Sequence, residues 1–230
     1  LHSADGGRTW SRPAEITESI YGLFDQSQLG PVQSLFFGSG RICQSSRIKV
    51  GKYYRLYAAL CARPGGNRVV YSDDFGRTWR SLGTIHTSPA PKGDEPKVEE
   101  LPNGDVVLSS RAYGGRFFNV FHYMSHKNAT GTWDAEAVHS AEVAGSVKAL
   151  QNSTNGEILI VPAVERATGK KLPLALQSVP LGPGRANVGV YYKPLYTDKD
   201  YATGKDFAQT GADLSKCPLI SVHGAVGTEI

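Results

Sequence analysis

The stretch Gly93-Asp94-Glu95-Pro96-Lys97-Val98-Glu99-Glu100-Leu101-Pro102-Asn103-Gly104-Asp105-Val106-Val107-Leu108-Ser109-Ser110-Arg111 sets an acid, Glu95, and a fixed cation, Arg111, near its two ends. Arginine offers a planar, permanently charged fork that binds a carboxylate through two parallel hydrogen bonds, which lysine does less directionally. A second fork, Arg185, lies in Leu174-Ala175-Leu176-Gln177-Ser178-Val179-Pro180-Leu181-Gly182-Pro183-Gly184-Arg185-Ala186-Asn187-Val188. Each has an ordinary reading as well: Glu95 before Pro96 is a turn residue, and an arginine after a strand is a surface or bridging ion pair. Arg41, Arg116 and Tyr113 are weaker candidates of the same kind. The six histidines show no metal-ligand spacing, and Cys43, Cys61 and Cys217 are far apart with no Cys-x-x-Cys. They read as buried thiols, with a Cys43–Cys61 bridge left open for an exported chain.

These residues need a scaffold, and composition narrows it. With 230 residues, 40% apolar and 20% charged, the chain can bury a sizeable core as one domain or a large part of one. No run approaches the roughly 18 consecutive apolar residues of a membrane span. The start, Leu-His-Ser-Ala-Asp, has neither the charged head nor the apolar stretch of a secretion signal and no initiator Met, so the chain reads as a piece of something longer. A net charge of +4 without Lys/Arg-rich blocks is too weak to argue for nucleic acid or anionic membranes as partners, and no nucleic acid is expected.

Twenty-six glycines, 13 prolines and one methionine suit many short strands and tight turns. Runs rich in β-branched and aromatic residues predict strands at Tyr53–Cys61, Arg68–Tyr71, Lys97–Leu101, Asp105–Arg111, Phe117–Met124, Glu157–Val164, Leu172–Gln177 and Asn187–Tyr192. Val50-Gly51, Asn103-Gly104 and Asn155-Gly156 read as hairpin turns, with glycines 53 and 52 residues apart. A strand-and-turn repeat of that length is what a propeller blade looks like in sequence. Ser3-Ala4-Asp5-Gly6-Gly7-Arg8-Thr9-Trp10 and Ser72-Asp73-Asp74-Phe75-Gly76-Arg77-Thr78-Trp79 are two copies of Ser-x-Asp-x-Gly-x-Thr-Trp, the Asp box. In such a loop the Ser and Asp side chains bond backbone N–H groups, the Gly takes positive φ and the Trp packs into the blade, so Asp5 and Asp74 read as structural. A degenerate third copy spans Ser125 to Trp133, and an insertion is placed between Thr17 and Gly40.

With these pieces in order, the chain resembles the bacterial exo-α-sialidases (neuraminidases), six-bladed propellers that release terminal sialic acid from glycans. The resemblance rests on the Glu-x-x-Val-x-Glu-Leu-x-x-Gly stretch that opens at Glu95 and closes on Arg111, on the Arg185 segment, and on the two Asp boxes. Ala144-Gly145-Ser146 and Phe37-Gly38-Ser39-Gly40-Arg41 are similar to further family segments. It implies an all-β propeller of sialidase type with about four blades present in an incomplete ring, residues 1–230 being part of the catalytic domain. It implies Glu95 as the base that assists a tyrosine nucleophile, and Arg111 and Arg185 as two of three arginines gripping the sugar carboxylate. Glu99 departs from the family's apolar residue, while Glu100 matches a second, non-catalytic glutamate. A neutral phenol suits attack beside an anionic sugar, which is why sialidases depart from the two-carboxylate rule. The implied partners are sialylated glycans, the implied location is secreted, periplasmic or cell-surface, and no cofactor or metal is called for.

The family's first arginine and its aspartate acid/base belong upstream of the first blades, so the resemblance places them before Leu1. Its tyrosine would fall in Leu214–Gly224, which contains none; Tyr191, Tyr192, Tyr196 and Tyr201 come too early. Little or no hydrolysis by these 230 residues is therefore expected. The alternative reading is a non-catalytic sialoglycan-binding propeller.

Overall fold

Apolar runs cut by Gly, Asn and Asp turns fold into strands because side chains alternate faces every residue and each turn reverses the chain. The computed structural model describes residues 1–25, 30–134, 138–143, 154–180, 185, 188–208 and 220–221. Within them the chain is all-β, built of three antiparallel sheets in sequence order. The first holds β1 (Ser34–Phe37), β2 (Cys43–Val50), β3 (Tyr53–Arg63), β4 (Gly66–Ser72) and β5 (Arg80–Ser81), with β1 and β2 sharing one side of β3. The second holds β6 (Asp94–Glu100), β7 (Val106–Ala112), β8 (Gly115–Ser125), β9 (Thr130–Trp133) and β10 (Val138–His139). The third holds β11 (Ile158–Val164), β12 (Lys171–Pro180), β13 (Val188–Pro194) and β14 (Ile220–Ser221). Two short helices, α1 (Thr17–Gly22) and α2 (Gly204–Ala208), complete the described elements with two 3₁₀ turns. None is long and apolar enough to cross a membrane.

Every predicted strand is present, within a few residues of its expected ends. Gly51 and Gly104 turn at φ +60° and +94°. Asn103 Oδ1 accepts the Asp105 N–H at 3.0 Å and Leu101 O the Gly104 N–H at 2.8 Å, so the second turn is closed by its own residues. The expected insertion contains α1 and β1. The three sheets do not close into a ring, and the Ser3–Trp10 turn counted towards a further blade lies on none of them.

β7 shows why these strands read as continuous apolar runs: both of its faces are buried. Val106 and Leu108 meet Tyr57, Val69, Tyr71 and Leu82 of the first sheet and the turn after it. Val107 faces the other way, with Phe118 and Val120, onto Ile158, Ala175, Leu195 and Phe207. β6, the first strand of its sheet, packs against both β2 and β11, so three sheets converge on one line of strands.

The two Ser-x-Asp-x-Gly-x-Thr-Trp turns repeat each other's bonding almost bond for bond. Ser3 Oγ accepts from Gly7 N at 2.7 Å and Ser72 Oγ from Gly76 N at 2.8 Å. Asp5 accepts from Thr9 N and Oγ1 at 2.9 and 2.6 Å, and Asp74 from Thr78 N and Oγ1 at 2.8 and 2.6 Å. The Thr9 bonds hold the Asp5 carboxyl down to about 2. Gly7 and Gly76 take the expected positive φ. The tryptophans diverge: Trp79 packs against Ala58, Leu60 and Val70, whereas Trp10 is 61% exposed. The indole of Trp10 has no described sheet beneath it, and that is the physical reason for the difference.

Candidate functional site

Glu95 owes its position to a break in a strand. Pro96 has no N–H to give the ladder, and the β6–β7 register slips between Asp94 and Lys97. At the slip Glu95 takes φ +28°, sparsely populated for a non-glycine residue, and a bulge of this kind re-aims the side chain it carries. Glu95 Oε2 accepts from Arg111 Nη1 at 2.6 Å. The acid is 31% and the guanidinium 26% exposed, so a ligand can reach both. The bulge is propped from below: a Cβ on Gly38 would run into the Pro96 carbonyl, and Gly38 N donates to Ala59 O at 2.7 Å. The Gly-rich stretch is thus the seat of the bulge.

Charged neighbours surround this pair. Arg63 Nη2 lies 3.1 Å from Asp94 Oδ1, and its Nη1 donates to Gly93 O at 3.2 Å. Cys61 Sγ donates to Asp94 Oδ1 at 3.6 Å, and burial pushes that thiol up to about 11. Lys97 Nζ donates to Ser39 Oγ at 3.2 Å, and Ser39 also accepts from Asn155 Nδ2. Burial lowers the Lys97 ammonium against the opposing pull of Glu157. Arg116, fully buried, donates to Ser109 Oγ at 2.6 Å, Thr154 O at 2.7 Å and Ser109 O at 3.0 Å. Residues from all three sheets and the loops that lead into them therefore meet around Glu95 and Arg111. Among the described residues no three His, Cys, Asp or Glu side chains gather as a metal would need.

The structure brings Glu95 and Arg111 together. Arg185 is exposed at φ +67°, and no bond or ion pair joins it to either residue among those described. Its segment nonetheless starts at the right end of the third sheet. Ser109 Oγ donates to Gln177 Oε1 at 3.2 Å and Arg116 Nη1 to Thr154 O, which sets Arg111 at the Pro180 end of β12, five residues before Arg185. The other candidates have structural partners. Arg41 pairs with Glu99, which Cys43 Sγ also approaches at 3.1 Å, so a buried carboxylate at a position expected to be apolar is held by a cation and a thiol. Glu100 accepts from Ser45 Oγ, and from Ser46 N and Oγ at 2.7 and 2.9 Å, tying β6 to β2. Tyr113 stands at the β7–β8 hairpin tip, 76% exposed. Cys43 and Cys61 are both free and buried. Ala144-Gly145-Ser146, Cys217 and most of Leu214–Gly224 lie outside the described residues.

Asp94, Arg63, Lys97 and Glu157 escaped the sequence reading. Their roles depend on contacts between sheets, and no local signal marks them. Two hollows, about 750 and 850 Å³, are lined by neither Glu95 nor Arg111. One runs between Pro89 and His139, the other along Glu99, Pro102 and Ile160.

No family model matches the chain. Among solved structures the fold is similar to that of the Hadza microbial sialidase Hz136, with a TM-score of 0.56 at 22% identity. The match covers 83% of this chain and 33% of that one, so the chain spans about a third of that protein's length. At this identity the likeness is one of architecture: the chain has a sialidase-like antiparallel β fold.

Proposed function

We propose that the chain is part of a sialidase and that Arg111 and Arg185 bind the carboxylate of a terminal sialic acid, with Glu95 beside them as the base for a tyrosine nucleophile. The observation that carries this is the Glu95–Arg111 pair: an acid on a strained bulge, 2.6 Å from a partly exposed guanidinium, on a sialidase-like fold. Glu95 occupies one nitrogen of the fork, and a substrate carboxylate takes the remaining N–H groups. Sialylated glycans are the proposed partners, and a protein acting on them is placed outside the cytoplasm.

For these 230 residues binding is favoured over turnover. Tyr191, Tyr192 and Tyr201 are built into the third sheet and the turn beside it, and Tyr196, half exposed, donates its hydroxyl to Glu165. The second reading is a sialoglycan-binding propeller without a nucleophile. Two measurements test the proposal. Calorimetry with 2,3-didehydro-N-acetylneuraminic acid is expected to show binding that Arg111→Ala weakens by about 2–5 kcal/mol, the loss for truncating one side of a desolvated charge pair. A fluorogenic sialoside is expected to be hydrolysed negligibly. Absence of analogue binding would remove both readings, and robust hydrolysis would favour the enzyme.

A further inference from the structure

Arg116 is a buried cation with no direct ion-pair partner among the described residues. It pairs directly across the β7–β8 ladder with Arg111, so the two guanidiniums project from one face of the hairpin, an arrangement of like charges that destabilises a sheet. Arg111 has Glu95; all three side-chain bonds of Arg116 go to neutral acceptors, two of them on Ser109 and the third the Thr154 carbonyl. No carboxylate forms an ion pair with it among the described residues, and Glu95 and Glu157 act on it only through space. Its side chain is completely buried, next along the same face of β8 to Phe118. Burial pulls the guanidinium down to about 10, evidence of how poorly its charge is solvated.

A neutral donor could brace the same carbonyls without the penalty of a buried, unpaired ion. The charge therefore needs another reason, and the one at hand is an anion arriving from outside the chain. We infer that Arg116 is a positioning charge: a buried guanidinium with no carboxylate bonded to it among the described residues, which makes the Arg111 end of β7 and β8 hold a carboxylate, whatever molecule carries it. It acts through Arg111, since it is too deep to touch the ligand itself. The inference rests on the reading of Arg111 as a carboxylate clamp, but it does not require the carboxylate to belong to sialic acid.

The test uses the full chain with Arg116→Gln, which keeps donors and loses the charge, and Arg116→Lys, which keeps the charge. Two readouts are taken: calorimetry with the didehydro sialic acid analogue, and melting temperature in sodium acetate against sodium chloride at equal ionic strength. Arg116→Gln is expected to melt at or above the wild-type temperature while binding the analogue at least about tenfold more weakly, and Arg116→Lys to stay within about threefold of wild type. Unchanged affinity in Arg116→Gln overturns the inference. So does a Gln variant that melts well below wild type while Lys fares no better in binding, the pattern of a purely structural brace. Should the wild-type chain not bind the analogue, the sialic acid reading fails and the acetate arm decides this one. Acetate stabilising wild type but not Arg116→Gln supports it, and an equal response in both overturns it.

Discussion

Glu95 and Arg111 show how much a single residue's surroundings decide. Sixteen residues apart in sequence, they share a 2.6 Å bond because a hairpin folds their two strands together and a bulge turns the acid towards the guanidinium. Lys193 shows the same principle where no ligand is involved. Its ammonium is buried under the chain after β13, donating to Asp200 O at 2.5 Å, to Asp206 O and to Phe207 O at 3.5 Å. Burial lowers it to about 8, against the pull of Asp200 and Asp206. In the unfolded chain a lysine titrates near 10.4, so between about pH 8 and that value the unfolded state binds more protons and folding is favoured progressively as pH rises; below about pH 8 this contribution is level. Melting temperatures of wild type and Lys193→Met are thus expected to diverge as pH rises through this window, wild type gaining on the variant. A difference that shrinks with pH would contradict this placement of the charge.

At the level of elements, the bulge of β6 depends on one contact with the loop that joins β1 to β2. That loop, Gly38–Ile42, lies directly against the bulge, and at position 38 only glycine clears the Pro96 carbonyl. Replacing Gly38 with Ala is expected to overpack this junction, destabilising the fold by about 1–3 kcal/mol in urea titrations. Because the clash pushes on the residue after Glu95, affinity for the sialic acid analogue should fall beyond what the lost stability explains. If binding per folded molecule were unchanged, the bulge would not be what aims Glu95. Some of these elements could be read from the sequence: the hairpins at Gly51 and Gly104 and both Ser-x-Asp turns are closed by residues a few positions apart, so local chemistry announces them. The bulge could not, since Glu95-Pro96 is equally an ordinary turn until the opposite strand shows the slipped register.

Across the described residues, three sheets bury two interfaces and leave apolar side chains on the outside. Phe36, 44% exposed on β1, and Ile42, 50% exposed in the loop that follows, put apolar area in water. Apolar patches and strand edges of this kind promote association. The 230-residue chain is expected to self-associate in sedimentation velocity as concentration rises, and the double variant Phe36→Lys, Ile42→Lys to remain monomeric over the same range. Concentration-independent monomer in the wild type would show that this surface is covered or harmless.

What the sequence determined by itself was everything that short-range chemistry dictates: the eight predicted strands, the Gly51 and Gly104 turns, the bonding within the two Ser-x-Asp loops and the candidacy of Glu95 and Arg111. Strand patterning is a period-two signal, and turns are closed by neighbours, so neither needs the rest of the fold. Tertiary structure alone decided that Glu99 is paired with Arg41, that Trp10 is exposed while Trp79 packs against the first sheet, and that Arg116 stands beside Arg111 with no carboxylate bonded to it among the described residues. Charge pairing and burial depend on which sheets meet, and residues brought together from 58 positions apart, as Arg41 and Glu99 are, carry no mark of it along the chain.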